Sequence, residues 1–189
     1  MTTVRVLARV VAALLLVALA GPLVWRVATG DFYLTVEGRS MTPTYQVGDV
    51  LVVQQPDGAE LTRTGEIVVV AFSAGAEPAE DAPVYVHRVV EPLDDGTAWL
   101  QGDGNEERDP RPVSQDAVRG TPRFALTGPM ADAFQFTQSV VGRVVLGGAA
   151  LLLLLLPLRR RADGAVVAGA DDHAEAGDPG GEDEPRATH

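Results

Sequence analysis

Two residue types are missing from the 189 residues: there is no cysteine and no lysine. Without cysteine, disulfides and zinc–thiolate sites are excluded, and redox chemistry says nothing about compartment. Without lysine, all fifteen cations are arginine, as mutational bias in a GC-rich genome would produce. The chemical consequence is that no lysine amine can serve as a base. Histidine is scarce as well: of three, His173 and His189 sit near the C-terminus and only His87 lies in the middle of the chain. A basic footprint is also lacking. The formal net charge is −11, which argues against a nucleic-acid partner.

Hydrophobic residues make up 46% of the chain and are concentrated in two blocks. Val10–Trp25 has no charged residue and would cover ~24 Å as a helix, extended at both ends if Arg9 and Arg26 snorkel. Ala18-Leu19-Ala20 also resembles a cleavage site, so a cleavable signal peptide is the competing reading. The apolar run continuing through Pro22-Leu23-Val24-Trp25 favours a retained anchor. The second block, Val144–Leu158, contains six consecutive leucines and ends in Arg159-Arg160-Arg161. A buried core helix is the alternative there. The terminal arginines, like Arg5 and Arg9 before the first block, place both chain ends in the cytoplasm by the positive-inside bias.

The resulting organisation has an N-terminal start and anchor over 1–29 and an extracytoplasmic domain over 30–138. A second membrane helix follows over 139–158, then a cytoplasmic acidic tail over 159–189. The stretch from Ala162 carries eight acids and one arginine and few large apolar residues, so it is expected to be disordered. Asp171-Asp172-His173 there is read as solvated rather than as a metal site. The middle domain has short β-like runs at Phe32–Glu37, Val50–Gln54, Glu66–Phe72, Val84–Glu91 and Thr97–Gln101, with a turn signal at Asp94-Asp95-Gly96. Ser73–Pro83 reads as a loop. Helical periodicity is poor throughout, and the fold class is mainly β and antiparallel.

Chemistry points to the run Gly38-Arg39-Ser40-Met41-Thr42-Pro43-Thr44. A serine hydroxyl is a weak nucleophile and needs a base within reach and donors for an oxyanion. His87 is the only neutral-pH base available in the domain. On an extended strand Tyr85, His87 and Val89 share one face, and Val86 and Arg88 share the other. A lone strand histidine is more often structural, so the pairing needs support. A carboxylate to orient the imidazole is offered by Gly102-Asp103-Gly104-Asn105-Glu106-Glu107-Arg108-Asp109. A solvated turn is the bland reading of that segment. A calcium loop is disfavoured because Arg108 stands where the loop's glycine belongs.

Together these segments resemble signal peptidase I, in the branch found in archaea, the endoplasmic reticulum and some Gram-positive bacteria. Gly38-x-Ser40-Met41-x-Pro43-Thr44 with Gly48-Asp49 is similar to its nucleophile box. Gly65-Glu66-Ile67-Val68 is similar to the strand that follows. Val86-His87-Arg88-Val89 is similar to the box in which this branch has histidine and the common bacterial branch lysine. Gly102-Asp103-Gly104-Asn105 with Asp109 is similar to its Gly-Asp-Asn-Asn box. The resemblance runs from Val36 to Asp109. It implies an antiparallel β-rich catalytic domain and a membrane-bound serine endopeptidase that removes signal peptides from exported precursors. It implies Ser40 as nucleophile, His87 as general base and Asp109 as its orienting acid, with Asp103, Gly38, Met41 and Pro43 in support. It implies neither cofactor nor metal. The partners would be signal-peptide-bearing precursors and membrane lipid, with the export machinery as a further candidate.

Three departures from the family pattern stand out. Gly104 replaces an asparagine, Arg108 precedes the aspartate and Pro110 follows it, and Phe124–Gln138 does not resemble the family's usual approach to a second membrane helix. A non-catalytic membrane adaptor with the same β domain is therefore the alternative function. Self-cleaving or pilus-maturing relatives rely on lysine, which is absent here. A histidine base must be neutral, so an enzyme of this type should gain activity through about pH 6–7.5.

Overall fold

The computed structural model describes residues 2–72 and 82–155. The chain opens with helix α1 (Thr2–Thr29). Six strands follow: β1 (Phe32–Thr35), β2 (Val50–Gln54), β3 (Ile67–Ala71), β4 (Val84–Pro92), β5 (Ala98–Gln101) and β6 (Val118–Leu126). Two helices, α2 (Pro129–Gln138) and α3 (Val140–Leu155), complete the described part. All strand pairings are antiparallel, in the order β1-β2-β6-β3-β4-β5.

The five expected strands are present, with ends shifted by a few residues at most. Residues 73–81 of the expected Ser73–Pro83 loop, the end of the second apolar block and the acidic tail lie outside the described residues. Two elements correct the expectation. β6 was not anticipated, and α2 is a helix inside the segment that showed poor helical periodicity. Gly120-Thr121-Pro122 looks like a strand breaker, but the strand uses both residues. Proline lacks an N–H and is tolerated at bulges. The β2–β6 register shifts between Val52, opposite Phe124, and Val53, opposite Pro122. A side chain at Gly120 would begin 2.0 Å from the Gln54 carbonyl oxygen, so only glycine lets the two strands meet there.

β3 is flanked on both sides, so its run Val68-Val69-Val70 is buried completely. The period of two sorts these residues between two cores. Val68 and Val70 join Leu61, Val89, Ala98, Leu100 and Val118 on one face. Val69 joins Leu51 and Val53 on the other, with Leu34, Val86 and Tyr45 packed against them. Burying a valine or leucine side chain contributes ~1.5–3 kcal/mol, so these aliphatic layers hold the sheet rigid beneath its loops.

Val6–Thr29 in α1 is the one described helix that is by itself long and apolar enough to cross a membrane, with a mean hydropathy of 2.3. α3 meets that standard only jointly with α2, from which it is bent by 80°. The expectation of two independent spans is thus reduced to one among the described residues, because α3 as described has sixteen residues, too few to cross by itself. α1 and α3 pack together. Ala12 and Ala150 are buried, as expected where small residues let helices approach closely.

The junction between α1 and the sheet is a polar knot around Asp31, whose carboxylate is fully buried. It accepts hydrogen bonds from Trp25 Nε1 at 3.0 Å and Arg123 Nε at 3.1 Å. The Tyr33 hydroxyl donates to the Pro22 carbonyl at 3.0 Å. A buried carboxylate held by an arginine and an indole fixes where the helix leaves the sheet.

Candidate active site

β1 ends at Thr35 and the chain makes a closed loop before β2. Its base is fastened by Val36 N to Asp49 O and Gly48 N to Val36 O, both 2.8 Å. Asp49 is buried and its carboxylate accepts Gln46 N at 2.8 Å. At the far end, Thr42 N donates to Arg39 O at 3.0 Å and Tyr45 N to Met41 O at 2.9 Å. Ser40 opens this turn and is half-buried. Met41 points inward and is 2% exposed, plugging the turn onto the sheet. Pro43 follows a cis peptide bond and is exposed. Gly38 is exposed, with open space where a side chain would begin.

β4 carries His87, which is 8% exposed and on the face shared with Tyr85 and Val89. Its Nδ1 lies 2.8 Å from Asp109 Oδ1. The distance is that of a hydrogen bond, yet the alignment falls short of one, and Asp109 Oδ2 is buried without a hydrogen-bond partner. Asp103 lies elsewhere and does not meet the imidazole edge that Asp109 occupies. The Tyr85 ring meets His87 edge-on with centroids 5.0 Å apart. Burial, with the Asp109 carboxylate adding to it, pushes the Tyr85 phenol up to about 12.

The other imidazole nitrogen lies near the backbone of the Ser40 turn, with Gly102 between them. A methyl group at Gly102 would sit 2.9 Å from His87 Nε2 and 2.4 Å from the Ser40 carbonyl oxygen. No real side chain fits that space, so the bare Cα lets the histidine and the serine backbone close on one another. Gly104 does the same a turn later. Its N–H donates to the Ser40 carbonyl at 2.8 Å, and a side chain there would begin 2.9 Å from the Arg39 carbonyl. The departure at Gly104 therefore has a physical reason in this chain: the box lies directly against the serine turn.

Asp103 belongs to a clamp. Arg88 Nε donates to Asp103 Oδ1 at 2.8 Å and Arg88 Nη2 to Oδ2 at 2.6 Å. Arg88 Nη1 donates to the Gly65 carbonyl at 2.8 Å, and Thr44 Oγ1 donates to Asp103. The Arg88 guanidinium, with Thr44 adding to it, holds the Asp103 carboxyl below the usual carboxylate range against the opposing effect of burial. With both oxygens engaged, Asp103 is not free to ligate calcium. One ion pair thus joins the serine loop, β4 beside His87 and the box that bears Asp109.

Arg108 faces the other way, its guanidinium 4.0 Å from the centroid of Trp99 and paired with Glu91 at 2.8 Å. It pins the loop from outside while Asp109 turns inward, where its N–H donates to Leu100 O at 2.8 Å. Sequence reasoning did not assign functions to Tyr85, Thr44 or Gly102. The only signal was the period of two that put Tyr85 on the His87 face. Chemically, the arrangement has an oriented imidazole, a serine turn beside its free nitrogen and a buried carboxylate behind it.

The model of the family described as Peptidase S24-like matches residues 16–121, more than half of the chain and all of the residues in this site. No curated protein matches the chain.

Proposed function

We propose that this chain, which belongs to the Peptidase S24-like family, is a signal peptidase I: a membrane-bound serine endopeptidase that cleaves signal peptides from exported precursors. The family is part of a serine-peptidase superfamily that also includes self-cleaving repressors. The reading rests chiefly on His87, whose Nδ1 contacts Asp109 at 2.8 Å while its Nε2 adjoins the Ser40 turn across Gly102. That is the polarity a serine–histidine–aspartate system needs, and in a lysine-free chain His87 is the base that can supply it.

In this mechanism Ser40 Oγ attacks the scissile carbonyl and His87 Nε2 takes its proton. Asp109 stabilises the imidazolium, and the Ser40 backbone N–H meets the developing oxyanion. Collapse breaks the C–N bond as His87 returns the proton to the leaving amine. Water, deprotonated by the same imidazole, then hydrolyses the acyl-serine. β1 is an edge strand running into the Ser40 turn, which suits an extended substrate added by β-augmentation.

The enzyme sits in the plasma membrane through α1 and α3. Residues 30–138 face the outside, both termini are cytoplasmic, and the substrates are precursors emerging from the export machinery. Its test is cleavage of a signal-peptide-bearing precursor by the chain reconstituted in vesicles. Ser40→Ala and His87→Ala should each lower the rate by at least about 10⁴-fold while still accumulating in membranes. Retained cleavage in either purified variant contradicts the assignment.

A further inference from the structure

α2 has an outward face that water does not suit. Its inward side is fully used: Ala131 is buried, Phe134 packs on Tyr33 with ring centroids 4.8 Å apart, and Gln135 Nε2 donates to the Gly48 carbonyl at 2.8 Å. The opposite side carries Met130, Ala133 and Phe136 at helical spacing of three. Met130 is 66% exposed and Phe136 46%, and the exposed Asp132, one turn before Phe136, borders the stripe without interrupting it.

The break between α2 and α3 is built rather than frayed. The chain turns at Ser139, whose Oγ donates to Phe136 O at 2.8 Å and accepts from Gly142 N at 2.9 Å. A side chain at Gly142 would begin 1.7 Å from the Phe136 carbonyl oxygen, so the 80° bend depends on glycine there. A helix nearly perpendicular to a membrane-crossing α3 lies in the plane of the membrane surface. α2 also touches α1, whose last turns carry the part-exposed Trp25 and Arg26, residue types favoured at the lipid–water boundary. Arg143 in the first turn of α3 is exposed at the same junction.

We propose that the outward face of α2 is a lipid-docking surface, with Met130, Ala133 and Phe136 embedded in the outer leaflet. This rests on the reading of α1 and α3 as membrane-spanning. Because Gln135 ties α2 to the serine loop at Gly48, docking sets the height of Ser40 above the bilayer. It places the cut just outside the hydrocarbon, where the apolar part of a signal peptide ends.

The absence of cysteine makes a clean test possible. Met130→Cys and Phe136→Cys, each spin-labelled in the full chain in phosphatidylcholine–phosphatidylglycerol vesicles, are read by collision with oxygen and with a water-soluble nickel chelate. Leu152→Cys on α3 and Asp94→Cys in the β4–β5 turn serve as references. The two α2 labels should lie about 5–10 Å below the phosphate level, shallower than position 152 and unlike the aqueous position 94. Water-like collision at 130 and 136 with a lipid-like 152 overturns the proposal and leaves the membrane reading standing. Dipolar broadening between α2 labels overturns it in favour of a second copy of the chain. A water-like 152 overturns the proposal and the membrane reading together.

Discussion

Gly102 acts through the side chain it lacks. The Ser40 carbonyl and His87 Nε2 both crowd the point where its Cβ would stand, at 2.4 Å and 2.9 Å. Gly102→Ala should therefore push His87 away from Ser40 and, on the proposed mechanism, lower kcat by at least about 10²-fold, since a shift of ~1 Å is enough for that loss. Steady-state kinetics beside a thermal melt checks it: activity falls far more than stability. Tyr85 gives a second residue-scale prediction. Its phenol is raised to about 12 from an ordinary value of 10.0. Its stabilising contribution is fully present below about pH 10 and is lost as pH rises through about 12. In alkaline absorbance titration, Tyr85→Phe should remove the component that ionises near pH 12. Ser40 and His87 could be singled out in the sequence because a chain without lysine or cysteine and with one domain histidine leaves few alternatives. Gly102 could not be, because its constraint comes from two segments distant in the chain.

Between elements, the Arg88–Asp103 clamp ties β4 to the serine loop and to the box after β5. Arg88→Met leaves Asp103 charged and without its partner, and should destabilise the domain by about 1.5–3 kcal/mol, read as a lowered melting temperature. The Asp103 carboxyl is held below its ordinary value, so the clamp's contribution is present above about pH 4. It is lost as pH falls through that lowered value, so the difference between native chain and variant should shrink in acid. Five strands were legible because alternating or continuous apolar runs between turn residues mark them. β6 was not, because Gly120 and Pro122 have the local chemistry of a break. Only the bulge against β2 and the approach to Gln54 explain why a strand needs them. α2 is hard to see in the sequence because its apolar residues (Ala131 and Phe134 inward, Met130, Ala133 and Phe136 outward) and its polar ones (Gln135 inward, Asp132 exposed) are mixed around the helix, which leaves no single apolar stripe.

At the scale of the whole molecule, the apolar helix and the sheet meet at Asp31, and the serine loop lies on α2. The family match gives the serine-peptidase superfamily; the proposed mechanism rests on the geometry around His87, and the proposed signal-peptide substrate on the apolar α1 and the family resemblance of residues 36–109. The first apolar block was legible from its length alone. The second was legible in composition, but its sharp entry through Ser139 and Gly142 was not, because a bend of 80° depends on space around Phe136 rather than on any local signal. The most direct test compares the N-termini of membrane and secreted proteins in cells carrying the native chain with those in cells carrying only Ser40→Ala. A set of exported proteins is expected to keep its signal peptides in the variant cells and to begin after small residues in the native ones. Identical N-termini in the two sets of cells would contradict it.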